Sequence, residues 1–358
     1  MNPRERVRLA LTCQRPDRIP KGLAFFDQEI PAIAPATPET YFGLDVRIAE
    51  FKPPRGQDDF LGYLERLPKD VHVGNLAQLR TYHEWGYHPE GGPERPLGRA
   101  RTVEEIAEFI LPDLANPRRY AGLAEQVAAW HAQGFAVAGA PPHLGGELFE
   151  TAYRLRGFKE FLADLMWHKP LAHYLLDQLT ALAIHSTLIL AQAGVDILLL
   201  DDDIAMPTGL IISPATWREF FGPRLADIIR LAREATPNPA IDSGQGIIIF
   251  YHSDGDFTRI VPELVEIGVN VINPVQPDCM DAIAIKRAFG DRLAMWGTVG
   301  SAWLWDHGTP AQIRAEVKYR IETLGPEGLL LAPAYDVDFT PLENLVAFYE
   351  AVDEYGAL

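Results

Sequence analysis

From about Phe135 onward, short apolar runs rich in β-formers alternate with long segments of helical periodicity, which restricts the chain to successive βα units on a parallel sheet. The predicted strands are Phe135–Ala140, Val195–Leu200, Gly246–Tyr251, Val269–Asn273, Leu293–Gly297 and Leu329–Pro333. Between them, Phe158–Ala193 carries apolar residues at helical spacing, and Pro170 divides it at a helix start. Trp217–Ala235, Phe257–Gly268, Ala282–Phe289, Pro310–Leu324 and Pro341–Tyr355 read as helices, with Thr309 and Thr340 as N-caps ahead of a proline. One further strand near Ile19–Phe25 and one within residues 71–90 make eight. The expected fold class is therefore α/β, a (β/α)8 TIM barrel, as a single domain over residues 1–358. Residues 28–98 hold many prolines and glycines with little periodicity and are expected as a loop-rich extension over the barrel mouth.

Composition narrows the function. The chain has 358 residues, 47% of them apolar, enough for a large core. Its 32 basic against 49 acidic residues give a net charge of −17, which argues against nucleic acid and anionic membrane as partners and leaves a small-molecule substrate as the expectation. Cys13 and Cys279 stand far apart with no CxxC spacing, so neither a disulfide framework nor a zinc knot is expected, and a cytoplasmic location fits. The first twenty residues carry scattered charge and no long apolar run, unlike a signal peptide or membrane span. No glycine-rich phosphate loop, internal repeat or low-complexity tract occurs.

In a parallel barrel the chemistry sits at the carboxyl ends of the strands, so polar residues just past each apolar run are the candidates. His252 and Asp254, two apart after the run ending at Tyr251, would face one side and could bind a divalent metal or work as an acid–base pair. A plain turn at Asp254-Gly255 is the structural alternative. Asp201-Asp202-Asp203 follows Ile197–Leu200; alternation sends Asp201 and Asp203 to one side, and such crowded carboxylates need hydrogen bonds, a cation or a raised pKa. Tyr335 and Asp336 lie beyond the last strand. Glu84 and the acids Glu147 and Glu150 fall outside regular polar faces, and capping or solvation would explain them as well. The remaining histidines, among them His143, His173 and His185, show no ligand spacing, and Ser213 reads as an N-cap.

Several of these segments together resemble the uroporphyrinogen decarboxylase superfamily, which includes corrinoid-linked methyltransferases. They are Arg4–Val7, Pro16–Pro20, Glu84-Trp85-Gly86, Phe149–Gly157, Asp202-Asp203 with Ile212-Ser213-Pro214, His252-Ser253-Asp254-Gly255, Asn273–Pro277, Phe289–Arg292 and Pro341–Asn344, in consistent order. The resemblance implies one (β/α)8 barrel, often a homodimer, with tetrapyrrole or corrinoid ligands. In the coenzyme M methyltransferase branch the motif looks like His-x-Cys with a second cysteine on the last strand, and these hold a thiol-activating zinc. Here Asp254 stands at the first cysteine position and Tyr335 near the second, which removes the soft ligands and leaves a harder His/carboxylate site. True uroporphyrinogen decarboxylases look like Met-Arg-Gln-Ala-Gly-Arg near the first strand, whereas this chain reads Ile19 to Asp27 with Lys21 as its only cation there.

The expectation is thus a methyltransferase moving a methyl group between a small methylated substrate and a corrinoid or similar carrier, with a corrinoid protein as a candidate partner. Its catalytic residues would be His252, Asp254, Asp203 and Tyr335, its substrate contacts Glu84, Glu150, Asp201 and Asp336, and its metal, zinc, would sit on His252 and Asp254. The alternatives are a cofactor-free decarboxylase of a tetrapyrrole and a non-catalytic tetrapyrrole or corrinoid carrier.

Overall fold

The computed structural model describes residues 1–23, 30–52, 60–66, 76–87, 95–236, 246–337 and 340–357. Seven parallel strands form one sheet in sequence order: β1 (Val46–Ala49), β2 (Ala136–Gly139), β3 (Ile197–Asp201), β4 (Ile248–His252), β5 (Val271–Asn273), β6 (Ala294–Trp296) and β7 (Leu329–Leu330). Each is followed by helix, so the sheet curls in the TIM-barrel-like manner that successive right-handed βα crossovers impose. At its two ends lies the segment Pro20–Gly22. Its backbone pairs with Leu331 beyond β7 in both directions, at 3.0 Å each, and Lys21 O accepts from Asp45 N, just before β1, at 3.1 Å.

Six of the expected strands recur within two or three residues, with Leu329–Pro333 contributing a two-residue strand and isolated bridges at Leu331 and Pro333. The other two expectations need correction. Where a strand was expected within residues 71–90, Leu76–Glu84 is a helix, and 71–75 and 88–90 lie outside the described residues. Of Ile19–Phe25, Pro20–Gly22 makes the bridges above, and Ala24 and Phe25 lie outside the described residues. The missed strand is β1, inside the stretch read as loop. Four residues are too few to show a period, and β1 is held by pairing to β2 and by Arg47 stacked 3.7 Å over Phe135 rather than by its own pattern. Ser213 and Thr309 cap their helices as expected, whereas Thr340 does not: its helix begins at Leu342 with Pro341 in the cap position.

Strand parity sorts the core into two layers. One face of the sheet gathers Val46, Ala136, Ala138, Ile197, Leu199, Ile248, Phe250, Val271, Ala294, Trp296 and Leu330 into an inner cluster. The intervening residues, such as Leu198, Leu200, Ile249, Tyr251 and Ile272, pack outward against the helices. Val7 and Leu11 of the helix Pro3–Leu11 belong to the inner cluster and cover the amino ends of the strands. One helix among the described residues, Lys169–Ala193, is long and apolar enough to cross a membrane. Here Leu171, Leu175, Leu179 and Leu190 are buried, and the helix packs along Gly222–Ala235.

The amino end is pinned by a buried carboxylate. Asp196, immediately before β3, accepts from Arg4 Nε (2.9 Å), Arg8 Nη1 (3.2 Å) and Val137 N (3.0 Å) and meets His131 Nε2 at 2.9 Å. Burial opposes its ionisation, but the His131 contact, Arg4 and the Val137 amide outweigh it and hold its carboxyl below the usual value. Asp196→Ala should lower the unfolding free energy at neutral pH by about 3 kcal/mol, the low end for a broken buried pair because the arginines keep some solvent contact. Folding depresses this carboxyl's pKa, so its contribution is present above the unfolded value of 3.8 and is lost as pH falls through the lower folded value. Denaturant melts of wild type and variant should therefore converge in acid.

Candidate functional site

The inner-face parity that buries Ile197 and Leu199 brings Asp201 next on the same side, and the parity of Ile248 and Phe250 brings His252. On β5, Val271 is followed on that side by Asn273. The three strands are in register, with Asp201 opposite His252 and His252 opposite Asn273. A carboxylate, an imidazole and a carboxamide thus stand side by side at the carboxyl rim.

The ladder runs on past the strand ends and stiffens the rim. Asp202 N donates to His252 O (3.1 Å), Ser253 N to Asn273 O (3.0 Å), Ile204 N to the Ser253 hydroxyl (3.1 Å), and Asp254 N to Asp203 Oδ1 (2.7 Å). Asp203 is thereby drawn to His252. The imidazole Nε2 lies 3.6 Å from Asp203 Oδ1 and 3.9 Å from Asp201 Oδ1, and single ligand atoms of Asp201, Asp203 and His252 fall within 4.8 Å of one another. Gly255 adopts φ +81°, and a Cβ there would stand 2.6 Å from Met206 backbone, so the turn after Asp254 packs tightly on the short hairpin Ala205–Leu210.

A second layer comes from the loop after β2. Gly146 lies so close to Asp201 O and Asp202 that a Cβ would approach them to 2.8–2.9 Å. This contact lets Glu147 N donate to Asp201 O (2.8 Å) while Asp201 N donates to Glu147 Oε2 (2.6 Å). Asp202, which alternation turns away from Asp201, accepts from Phe149 N (2.9 Å) and Glu150 N (3.0 Å) at the start of the helix Phe149–Arg156. Glu150 is thereby set near the rim, gripped by Arg154 at 2.6 Å and the Tyr153 hydroxyl at 2.9 Å, and Arg154 in turn reaches the Tyr82 hydroxyl at 2.9 Å.

The crowded acids titrate abnormally. Burial, then the charges of Asp203, Glu150, Asp202 and Asp254, pushes the Asp201 carboxyl well above the ordinary range. Burial, followed by Asp201, does the same to Glu147. Burial raises Asp254 to about 6, opposed by His252 and reinforced by Asp203 and Asp336. His143 goes the other way, lowered to about 4 by burial and then by Arg154 and His252, so its imidazole is neutral at physiological pH. Its Nδ1, like Asp201 Oδ1 and Glu147 Oε1, is enclosed without a hydrogen-bond partner among the described residues. Polar atoms stranded at a rim fit a bound ligand better than a finished core.

Of the residues singled out in the sequence, the structure brings Asp201, Asp203, His252 and Asp254 together. Glu150 and Asp336 lie close enough for their charges to act on Asp254. Asp254 itself accepts from Gln276 Nε2 at 2.8 Å, while the group suited to a metal is Asp201, Asp203 and His252. Tyr335 donates to Asp278 at 2.7 Å, and Glu84 is ion-paired to Arg119. Sequence reasoning passed over His143 and Arg154 and gave Asn273 no role of its own. His143 follows the end of β2 by four residues, so its rim position was legible from the strand alone.

A family model described as uroporphyrinogen decarboxylase (URO-D) matches residues 125–355, more than half of the chain. The chain belongs to the uroporphyrinogen decarboxylase family. Among solved structures, a methyltransferase from Methanosarcina mazei is similar with a TM-score of 0.68 and 18% identity, covering 99% of each chain. A B12-independent methionine synthase from Shewanella sp. W3-18-1 follows at TM-score 0.34 and 12% identity, over 65% of each. No curated protein sequence matches the chain.

The double acceptance by Asp202 is the tie between the rim and the loop after β2. Asp202→Ala strips the cap from the first turn of Phe149–Arg156 and should lower stability by about 1–2 kcal/mol. A shifted denaturant midpoint with an unchanged slope is the expected reading.

Proposed function

We propose that this protein is a methyltransferase that moves a methyl group between a small methylated substrate and a corrinoid or similar carrier, with a divalent cation held by Asp201, Asp203 and His252. The observation that carries the cation site is the Asp201 Oδ1 atom, enclosed without a hydrogen-bond partner among the described residues and within 4.8 Å of ligand atoms of Asp203 and His252. One imidazole and two carboxylates suit zinc or a harder divalent ion, in place of the thiolate set of the coenzyme M branch. A cation bound there would supply Lewis acidity toward the heteroatom that loses the methyl group.

The surrounding residues do the rest. Glu147 and the Gly146 contact hold Asp201 in place, and Asp254, fixed by Gln276, faces the substrate beside His252. Neutral His143 offers a ring nitrogen to the substrate, and Glu150 with Arg154 forms the wall on the β2 side. Asp336 lies near enough for its charge to act on Asp254. The methyl group leaves the donor heteroatom without the bonding pair, which stays on that atom, and is received by an electron pair of the carrier. A corrinoid protein would deliver the carrier, and the reaction would take place in the cytoplasm, where Cys13 and Cys279 stay as the free thiols seen here. The same reading takes Pro20–Gly22 as the eighth strand of a closed barrel, supported by its bonds to Leu331 and Asp45.

Decarboxylation of a porphyrinogen is disfavoured by the cations. Lys21, the one basic residue of that segment, is buried and spans 2.8 Å to Asp353, and Arg154 is taken by Glu150. Neither is left to meet a ring of substrate carboxylates.

Metal analysis of the purified protein should find one zinc or comparable divalent ion per chain. Asp203→Asn and His252→Ala should each weaken its binding at least 100-fold, about 2.7 kcal/mol. The methyl-transfer half is read by the absorbance change as reduced cobalamin is methylated from methylated amines, thiols or phenols. Carbon dioxide release from uroporphyrinogen by metal-free protein would sink the assignment.

A further inference from the structure

We propose that Asn273 is a positioning residue that fixes His252 in the tautomer protonated at Nδ1, so that the unprotonated Nε2 is the nitrogen turned toward Asp201 and Asp203. The Asn273 carboxamide has a partner on each of its two polar atoms. Its Nδ2 donates to Trp296 O at 2.8 Å, the backbone carbonyl at the end of β6. Turned about, Asn273 would set its own oxygen against that carbonyl, two acceptors at hydrogen-bond distance inside the core. The amide orientation is therefore dictated by β6, and Oδ1 is the atom that faces His252 Nδ1, at 2.6 Å. An amide oxygen only accepts, so Nδ1 must carry the proton, and a neutral ring then has its lone pair at Nε2.

The surroundings leave this pair little freedom. Asn273 and His252 are 1% and 5% exposed. Gly297 has φ +78°, and a Cβ there would stand 2.9 Å from Asn273 Nδ2, so the glycine makes the room in which the amide lies. Three residues on, Gln276 repeats the device for Asp254: its Oε1 accepts from Gly255 N (2.9 Å) and its Nε2 donates to Asp254 Oδ1 (2.8 Å). The segment Asn273–Gln276 thus orients the His252 and Asp254 side chains of the His252-Ser253-Asp254-Gly255 loop. An outer partner that locks a ligating histidine's tautomer is worth about 10–100-fold in metal affinity. This deepens the cation-site reading and rests on it only for the affinity.

The experiment uses the full chain, stripped of metal, labelled with ¹⁵N-histidine and kept at a pH where the ring is neutral. Two-bond ¹H–¹⁵N correlation of His252, assigned by loss of its signals in His252→Ala, should show Nδ1 protonated. In Asn273→Ala the ring should move to the Nε2–H form or a mixture, while Asn273→Asp, which keeps an acceptor toward Nδ1 and, protonated on its other oxygen, a donor toward Trp296 O, should preserve Nδ1–H. Zinc competition titration should give a site weaker by about 10–100-fold in Asn273→Ala. Protonation at Nε2 in the wild type overturns the proposal, as does an unchanged tautomer in a folded Asn273→Ala; should that variant fail to fold, the wild-type and Asn273→Asp spectra still decide. A wild type with the Nδ1–H tautomer and no zinc binding would retire the cation site and leave the role of Asn273 standing.

Discussion

The register of three adjacent parallel strands is the constraint on which the rest of the structure depends. Because β3, β4 and β5 pair so that Asp201, His252 and Asn273 lie level, the parity that buries Leu199, Phe250 and Val271 in the inner cluster also delivers one carboxylate, one imidazole and one amide to a single rim. A shift of one residue in either of the two pairings would turn a side chain of the row outward into the helical layer. Core packing and site geometry are therefore one choice, and the apolar residues below the rim hold the polar residues above it.

The rim concentrates negative charge that packing alone would not favour. Asp202 is stabilised by two backbone amides at a helix start, and Asp254 by Gln276, but Asp201 and Glu147 each keep a buried oxygen without a partner among the described residues. Burying a carboxylate without a counter-charge is unfavourable by several kcal/mol, so it either takes up a proton or meets a cation. By contrast Asp196, at the amino end of the same strand β3, is satisfied by Arg4, Arg8, His131 and an amide, and its proton affinity falls instead of rising. The two ends of one strand show the difference between an acid whose oxygens are all satisfied and acids that keep an unpartnered buried oxygen among the described residues.

Family membership fixes the scaffold and leaves the chemistry to individual positions. Asp254 sits beside the three-residue group and accepts from Gln276 Nε2. Asp203, brought in by the Asp254 amide, puts its Oδ1 3.6 Å from His252 Nε2. One backbone hydrogen bond thus links the place of Asp203 to that of Asp254.

The sequence alone determined the alternating βα plan, six of the strands, the caps at Ser213 and Thr309, and the rim position of Asp201–Asp203 and His252–Asp254, because each depends on a local period or on the residues next to it in the chain. Only the tertiary structure decided that Val46–Ala49 is a strand, that Leu76–Glu84 is a helix, that Glu84 and Tyr335 bond to Arg119 and Asp278, and that the third residue grouped with His252 and Asp203 is Asp201 rather than Asp254. Those outcomes are set by strand register and by which backbone amide reaches which carboxylate across distant stretches of chain, 51 residues in the case of Asp254 and Asp203. No period in the sequence records such contacts, since they exist only once the strands are paired.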